Sequence, residues 1–406
     1  MKQFFDQPII TTKRSVYLML LVVIAPLLNF LSGISIDLYA PSMPSIAKYF
    51  TASVMATKNT ISSTILGMTF GCLIFGVLID TIGRKRVLLT GIFFYIISSF
   101  IAIWSQNIFQ LMLIRFIQGV MISTVTIGCR ALIIDSISGR RYNIAILYTS
   151  IAYGAGPVIG PFIGGIIQNN FGWKANFILL AIIGIILFLL LLLFIKESIP
   201  ERQPLILRNI VFKYFNVIKH KRFIIGILIC SLVQTELMIY PTLGPFIIEN
   251  ILHHSVLVYG NTALLVGSSY LCGALINRFL LHYIKPKQIC YYGFAGLVLA
   301  LLLAYIFTLF LKLNLVTLII PIILLNISAG FIFPTIMGVN LKQFPKSAGI
   351  AMATQTALLA LIVALVLFVI SHVPINNLIS LSIIYTVLVL LQIILFFSSY
   401  KELLDT

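Results

Sequence analysis

An aspartate lies inside the first long apolar run of this sequence, where a titratable group could exchange protons. Asp37 is followed by Pro41 and Pro44, and the run from residue 16 to residue 47 is almost uncharged. A carboxylate that faces lipid is costly, so we expect Asp37 to face the protein interior or a wet cavity. The two prolines predict a break or bend in the helix just beyond Asp37. The alternative is a helix that ends at Leu38, with Asp37 at the water interface.

Two more charged residues lie inside apolar runs and are candidates for proton coupling together with Asp37. Arg115 lies at a depth similar to that of Asp37, so a charge pair between them is geometrically possible. The alternative is that the Arg115 side chain snorkels to the surface. Such a pair would let Asp37 change its protonation near physiological pH. Glu236 is the other acid well inside a run, and it either shares this role or is an interhelical hydrogen-bonding group.

Polar and aromatic residues near these charges are candidates for lining a substrate cavity. Because aromatic residues make up 12% of the chain, most of them must serve packing or the interfacial belt instead. The sequence contains no nucleophile–base, metal-ligand or phosphate-binding motif, so we expect neither an enzyme nor a cofactor nor a metal site. The candidate cavity residues are Asn29, Tyr39, Gln118, Gln234 and Tyr240.

The composition predicts a polytopic membrane protein that is entirely α-helical. Hydrophobic residues make up 60% of the 406 residues and charged residues only 9%, too few charges to cover a soluble surface. Since a spanning helix takes about 20 residues, the chain accommodates about twelve. The predicted spans are 16–47, 54–79, 87–105, 107–135, 143–168, 176–196, 223–247, 257–282, 288–311, 315–340, 347–371 and 376–400.

The basic residues are distributed unevenly between the two sides of the membrane. Of the 27 Lys and Arg residues, 20 lie in segments that share one side if the spans alternate, and four lie on the other side. This positive-inside pattern predicts that both termini are cytoplasmic. The net charge of +17 therefore reflects membrane topology, and we expect no nucleic-acid partner.

Two internal echoes divide the chain into halves. The segment Gly-x-Leu-Ile-Asp at residues 76–80 recurs as Gly-x-Leu-Ile-Asn at 273–277, and the Asp-x-Tyr-x-Pro segment from residue 37 is echoed from Glu236 onward. Parallel repeats of this kind are typical of transporters, with the binding site between the halves near the middle of the membrane. We predict pseudo-symmetric six-helix bundles at 1–196 and 223–406, joined by a basic cytoplasmic linker at 197–222.

The turn after the second predicted span carries an acid followed by a run of cations. Asp80 would end a helix, where the helix dipole disfavours a negative charge that has no cationic partner. Gly83 permits a tight reversal, and Arg84 and Lys85 follow it directly. An ordinary basic loop would explain the cations but not the acid.

This turn, Gly76-x-Leu-x-Asp80-x-x-Gly83-Arg84-Lys85-Arg86, resembles the loop motif of the major facilitator superfamily, although Thr81 stands where the family usually has arginine. The segment from Leu111 through Arg115 to Gly119 resembles the family's fourth-helix motif, with Met121 replacing the usual glycine. Asp37-x-Tyr39-x-Pro41-x-x-Pro44 and Arg130-Ala-x-x-x-Asp135 resemble Bcr/CflA-type multidrug efflux transporters. The fifth-helix motif of drug:proton antiporters is matched by Gly156, Gly160, Pro161, Gly164 and Gly165.

The resemblance implies a twelve-helix major facilitator fold that exports amphipathic small molecules from bacteria in exchange for protons by alternating access. It places the protein in the inner membrane, as a monomer in the lipid bilayer. It also implies a conformational latch formed by Gly76, Asp80, Gly83, Arg84, Lys85, Arg130 and Asp135. We expect Asp80 to face the amides of residues 347–349 at the start of the eleventh span, which would join the halves.

The residues leave several alternatives open. The four-residue spacing of Gly156, Gly160 and Gly164 predicts a smooth helix face for close packing, which generic packing would also explain. Substrate choice depends on a few side chains, so a dedicated exporter of an endogenous metabolite, such as a siderophore, and an importer of the same fold remain alternatives. A membrane-embedded enzyme and a receptor without transport activity are less favoured.

Overall fold

Helices account for every regular element in the part of the chain that the structure, a computed structural model, describes: residues 12–137, 140–199, 217–344, 348–374 and 377–400. Twelve candidate spans in these residues are long and apolar enough to cross a membrane, which confirms the predicted all-α, twelve-span architecture. The helices are α1 (Thr12–Asp37), α2 (Met43–Tyr49), α3 (Val54–Ile82), α4 (Arg84–Ile103), α5 (Ile108–Ser136), α6 (Arg140–Phe171), α7 (Trp173–Phe194), α8 (Lys221–Phe246), α9 (Val256–Leu280), α10 (Pro286–Phe310), α11 (Leu315–Lys342), α12 (Ala348–Ser371) and α13 (Leu378–Leu395).

The two ends of the bundle differ in how their helices begin and turn. We call the end that carries the Gly83 turn and residues 195–199 the linker face, and the opposite end, where α2 leads into α3, the far face. At the far face, three helices are capped by asparagine: α5 by Asn107, α11 by Asn314 and α13 by Asn377. Each side chain accepts a hydrogen bond from the backbone N–H of the residue three positions later. At the linker face, α3 reverses into α4 at Gly83, whose φ of 118° favours glycine.

The hydrophobic core follows the two halves of the chain. One buried cluster consists mainly of side chains from α1 to α7, and a second consists of side chains from α8 to α13 and the segment after α8. The first cluster also takes in side chains from α8 and α12, so it forms an apolar seal between the halves toward the far face. These are Met238, Phe246, Ala360, Val363, Ala364 and Leu367. The predicted domain boundaries at 196 and 223 stay a prediction, since residues 200–216 lie outside the described residues.

The first span is interrupted at the predicted place. Helix α1 ends at Asp37, a 3-10 turn covers Ala40–Ser42, and α2 completes the span to Tyr49. The interruption is explained by Pro41 and Pro44, which cannot donate to a preceding turn. Residues from Asp37 to Pro44 are all buried, so the alternative that Asp37 lies at the water interface is wrong in this structure.

Helix α6 packs closely along α1 at this interruption. A Cβ atom on Gly156 would overlap the backbone of Gly33, and a Cβ atom on Gly164 would overlap the carbonyl oxygen of Leu38. At Gly160 a Cβ would lie 3.1 Å from the Ile34 side chain and 3.4 Å from the Leu38 nitrogen. The glycines therefore let α6 contact the backbone on both sides of Asp37, and this contact positions the acid.

The close α1–α6 contact predicts a position-specific effect of alanine on stability. Gly164→Ala should destabilise the protein by about 1–3 kcal/mol, because the added methyl group has no room beside the Leu38 carbonyl. Gly154→Ala, on the same helix, should be nearly neutral, since its nearest neighbour outside the helix would be a Leu271 side-chain atom at 3.5 Å. Thermal unfolding of the two purified variants in detergent checks this, and equal melting temperatures would contradict the packing argument.

Candidate functional site

Asp37 is a completely buried acid without hydrogen-bonding partners. Its residue is 0% exposed, and neither carboxyl oxygen has a hydrogen-bond partner. The Arg115 charge acts on the Asp37 carboxyl through space, yet no ion pair forms between the two residues among the described ion pairs. A buried carboxyl group without donors is far less costly as the neutral acid than as the anion. The site can therefore hold a proton in this conformation.

Arg115 is buried as completely as Asp37, but its partners are a carbonyl group, an amide and two aromatic rings. Both terminal nitrogens donate to the Ser35 carbonyl oxygen at 3.1 Å, and Nη1 also donates to Gln118 Oε1 at 2.9 Å. The guanidinium carbon lies 4.2 Å from the centre of the Tyr39 ring and 5.9 Å from that of Phe177. Arg115 and Asp37 are thus near each other but form no direct ion pair. The alternative that the Arg115 side chain snorkels to the surface is wrong in this structure.

The hydrogen bonds of Arg115 continue into α4. Gln118 Nε2 donates to Ser99 Oγ at 2.9 Å, and Ser35 Oγ shares a 2.7 Å hydrogen bond with the Tyr95 hydroxyl group. These bonds fix the guanidinium between α1, α4 and α5. Because the carbonyl that accepts from Arg115 belongs to Ser35, two residues before Asp37, the position of the acid depends on this network.

The other cavity candidates of the first half are also engaged within the bundle. Tyr39 shares a hydrogen bond between its hydroxyl group and Thr60 Oγ1, and its ring covers Arg115. Asn29 donates from Nδ2 to the Thr149 carbonyl oxygen of α6 at 2.9 Å, while its Oδ1 has no partner. The structure thus brings Tyr39 and Gln118 together at Arg115. Asn29 lies about two turns before Asp37 on α1.

Glu236 lies in the second half and contacts helix α13. Gln392 Nε2 donates to Glu236 Oε2 at 3.1 Å, while Oε1 of each residue has no partner. Both residues are buried, and the hydrogen bond joins α8 to α13 within one half. This is the geometry of an interhelical hydrogen-bonding group, and the structure does not bring Glu236 to Asp37. Gln234, also predicted for the cavity, is half-buried on α8.

Each half contains a hydrogen-bonded tyrosine–threonine pair. In the second half, the Tyr240 hydroxyl group donates to Thr262 Oγ1 at 2.6 Å and joins α8 to α9. In the first half, the Tyr39 hydroxyl group shares a hydrogen bond with Thr60 Oγ1 and joins the first span to α3. The echo of residues 76–80 at 273–277 diverges, because Asn277 donates to carbonyl oxygens of α11 at 3.0 and 3.2 Å, whereas Asp80 pairs with a cation. The sequence echoes therefore correspond to equivalent contacts at the tyrosines only.

A cluster of charges ties four helix ends together at the linker face. Arg84 pairs with Asp80 through Nη1 and with Asp135 through Nε at 3.0 Å, and it donates to the Ile79 carbonyl oxygen at 2.7 Å. Lys85 Nζ donates to the carbonyl oxygen of Leu192 at 2.8 Å. All these partners belong to the first half. Gly76 lies half-buried on α3, one turn before Asp80.

Glu197 is a member of this cluster that sequence reasoning assigned to the linker. Its Oε1 accepts from the backbone nitrogen of Arg84 at 2.8 Å, at the start of α4, where a carboxylate satisfies an orphan amide and the helix dipole. Ser198 Oγ donates to Asp135 Oδ2 at 2.9 Å. The sequence signal for Glu197 was an acid directly after the sixth span, in a segment that is otherwise strongly basic.

Arg130, predicted with Asp135 for the latch, lies elsewhere. Its Nη1 contacts the sulfur of Met352 on α12 at 3.3 Å, so it faces the second half while Asp135 bonds to Arg84. The predicted contact between Asp80 and the start of the eleventh span involves residue 347, which lies outside the described residues.

The fifth-helix motif faces two neighbours. Its residues Gly156, Gly160 and Gly164 contact α1, as described above. Pro161 and Gly165 face α9 of the second half instead: a Cβ atom on Gly165 would lie 3.3 Å from the Val256 carbonyl oxygen, and one on Gly260 would lie 3.2 Å from the Pro161 carbonyl oxygen. The motif thus connects the Asp37 segment with the interface between the halves.

The chain is similar to known transporters in sequence and in fold. It is 30% identical over 262 residues to an uncharacterised MFS-type transporter, YdgK, of Bacillus subtilis, covering 62% of this chain and 64% of the relative. It is 27% identical over 275 residues to the multidrug resistance protein MdtL of Shewanella oneidensis, covering 67% and 68%. A solved structure of a D-xylose–proton symporter superposes with a TM-score of 0.74 at 16% identity, covering 96% of this chain and 99% of that one.

The profile of the Major Facilitator Superfamily matches residues 27–367. That range extends from the turn before Asn29 to the end of the apolar seal, and it contains Asp37, Arg115, the Arg84 cluster and Glu236. The match makes the protein a multi-pass membrane transporter and not an enzyme. The chain belongs to the major facilitator superfamily.

Proposed function

We propose that the protein exports amphipathic small molecules across the bacterial inner membrane in exchange for protons, with Asp37 as the proton-carrying group. The observation that carries this proposal is the Asp37 carboxyl group, which is completely buried at the interrupted first span and has no hydrogen-bond partner. A structural acid would be expected to have donors around it, because burying an unpaired polar group costs free energy.

Proton exchange at Asp37 requires that its protonation change with its surroundings. While the Asp37 carboxyl group is buried, as it is in this structure, the neutral acid is favoured. When the site opens to water, hydration and the Arg115 charge favour the anion. A cationic or polar substrate that approaches the anion would compete with the proton, and this competition is the basis of antiport. Arg115 acts from a fixed position, because its hydrogen bonds to Ser35 and Gln118 hold it in place.

Alternating access would arise by rocking of the two halves about the central site. The cluster around Arg84 joins the linker-face ends of α3, α4 and α5 to the segment after α7, which supports movement of the first half as one body. The apolar seal toward the far face is the contact that would open for release. In this proposal the linker face is cytoplasmic, as the positive-inside pattern predicts.

The multidrug-type relative supports a drug or drug-like substrate. The Shewanella oneidensis relative is a multidrug resistance protein, and the match to it covers two thirds of this chain. We therefore infer a Bcr/CflA-type exporter that works as a monomer. Xylose is not inferred as a substrate, because the similarity to the symporter structure at 16% identity concerns the fold.

Replacing each buried acid by its amide should separate their roles. Asp37→Asn should abolish substrate transport driven by a pH gradient, because the amide keeps the shape but cannot carry a proton. Glu236→Gln should retain most transport, because the new amide can accept from Gln392 Nε2 and donate to Gln392 Oε1, which leaves no orphan oxygen in this pair. The measurement is uptake of a fluorescent amphipathic probe into inverted vesicles under an imposed pH gradient.

Membrane insertion and the melting temperature of both variants serve as the control. Undiminished gradient-driven transport by Asp37→Asn would exclude Asp37 as the proton-carrying group. Loss of transport in Glu236→Gln alone would assign that role to Glu236.

The linker-face cluster should contribute to stability mainly through Arg84. Arg84→Ala removes the hydrogen bonds to Asp80, Asp135 and the Ile79 carbonyl oxygen, so it should lower the melting temperature more than Asp80→Asn does. Asp80→Asn loses one pair whose acid side chain is 50% exposed, and exposed pairs contribute little. Thermal unfolding of the two variants in detergent is the measurement, and a larger effect of Asp80→Asn would refute this ranking.

A further inference from the structure

Arg130 is a cation between the halves of the transporter that the proposed proton coupling does not use. It lies six residues before the end of α5 at Ser136, about 9 Å along the helix from the linker face. Its Nη1 contacts the Met352 sulfur of α12 at 3.3 Å. The guanidinium group therefore extends across the interface toward the second half and does not follow its own helix to the surface.

The described neighbours of Arg130 leave its charge uncompensated. No described carboxylate forms an ion pair with it, and its hydrogen-bond partner is a thioether, which is a weak acceptor. The titratable groups in its surroundings are Tyr153, Cys129, Cys72 and Tyr142, which are uncharged at physiological pH and supply no counter-charge. Asp135, five residues further along α5, is bound to Arg84 and Ser198 instead.

A cation at this depth is expected to have an anionic or carbonyl partner. Arginine inside a membrane protein is expensive, and it normally pairs or lines a path for a ligand. A guanidinium group presents a planar fork of donors that fits carboxylate, sulfonate or phosphate oxygens. Residue Arg130 is only partly buried, so part of its surface remains accessible to a ligand.

The surroundings also include aromatic surface that suits an amphipathic molecule. Tyr153 on α6 directly precedes Gly154, where an added Cβ atom would lie 3.5 Å from a Leu271 side-chain atom of α9. Tyr270 on α9 directly precedes Leu271, so each half contributes an aromatic residue beside this contact between the halves. All of Arg130, Tyr153 and Tyr270 are partly exposed.

We propose that Arg130 is a substrate-binding residue that holds an acidic group, a carboxylate, sulfonate or phosphate, of an amphipathic ligand at the interface of the two halves, with Tyr153 and Tyr270 contacting its apolar part. The proposal rests on the proposed function only in that the interface between the halves binds the transported molecule. It requires neither proton coupling nor export.

A purely conformational role of Arg130 is the competing explanation. In that case the contact with Met352 would hold the halves together near the linker face, and ligand charge would not matter. Two ligands that differ only in the acid group distinguish these roles, and Met352→Leu is the matched control because it removes the thioether contact and keeps the cation.

The test uses the purified full-length protein in detergent, without any gradient, and measures equilibrium binding by fluorescence. The probes are dansylglycine, which carries a carboxylate, and dansylglycinamide, which has the same fluorophore and no charge. The wild type should bind the acid about tenfold more tightly than the amide, as expected for one charge-assisted pair. Arg130→Gln should abolish this preference by weakening acid binding alone, and Met352→Leu should keep it.

Arg130→Lys gives a second reading that does not depend on how well Arg130→Gln folds. It keeps a point charge but loses the planar fork, so the preference for the acid should be reduced without being lost. A wild type that binds both probes equally would overturn the proposal. The proposal would also be overturned if Arg130→Gln reduced the affinity for both probes equally, because that result would show a conformational role. Failure of the proposed proton-driven export would leave this binding result unaffected, because no gradient enters the measurement.

Discussion

The arrangement of the first half depends on the buried guanidinium group of Arg115, which is stabilised without a carboxylate contact. Moving a cation out of water costs several kcal/mol even after the protein relaxes. Arg115 offsets this cost with hydrogen bonds to Ser35 and Gln118, each worth about 1.5–3 kcal/mol when one partner is charged, and with the rings of Tyr39 and Phe177. Because these partners are neutral, the positive charge remains to act on Asp37.

This arrangement constrains the helices around it. The Ser35 carbonyl oxygen is available to Arg115 because the regular helix ends at Asp37; a continuous helix would direct it to the amide of Tyr39. The turn brings the backbone of Leu38 against α6, where only glycine fits at position 164. The interruption by prolines, the glycine face and the buried arginine are therefore parts of one structural solution. A change at any of them would move the Asp37 carboxyl group.

Much of the fold could be predicted from the sequence, because lipid imposes simple requirements on composition and length. The twelve spans, the interruption after Asp37 and the burial of that acid all followed from apolar runs and proline positions. The partners of the polar groups could not be predicted in the same way. Glu197 caps α4 although it is far from α4 in sequence, and Arg130 and Asp135 contact different helices although they are five residues apart. Helix periodicity fixes which face a residue occupies, but not which neighbouring helix lies against that face.

The two arginines of α5 show how neighbours decide what the same side chain can do. Arg115 and Arg130 are 15 residues apart, just over four turns, so both point toward the inside of the protein. Most donors of Arg115 are already used by protein atoms, and its residue is fully buried, so an incoming anion could reach it only by displacing Gln118 or the Ser35 carbonyl. Arg130 has a thioether beside it and remains partly exposed, so an anion would gain a strong partner at little cost to the protein. Arg115 is thus held as an electrostatic neighbour of Asp37, whereas the described hydrogen-bond partner of Arg130 is a weak acceptor that an anion could replace.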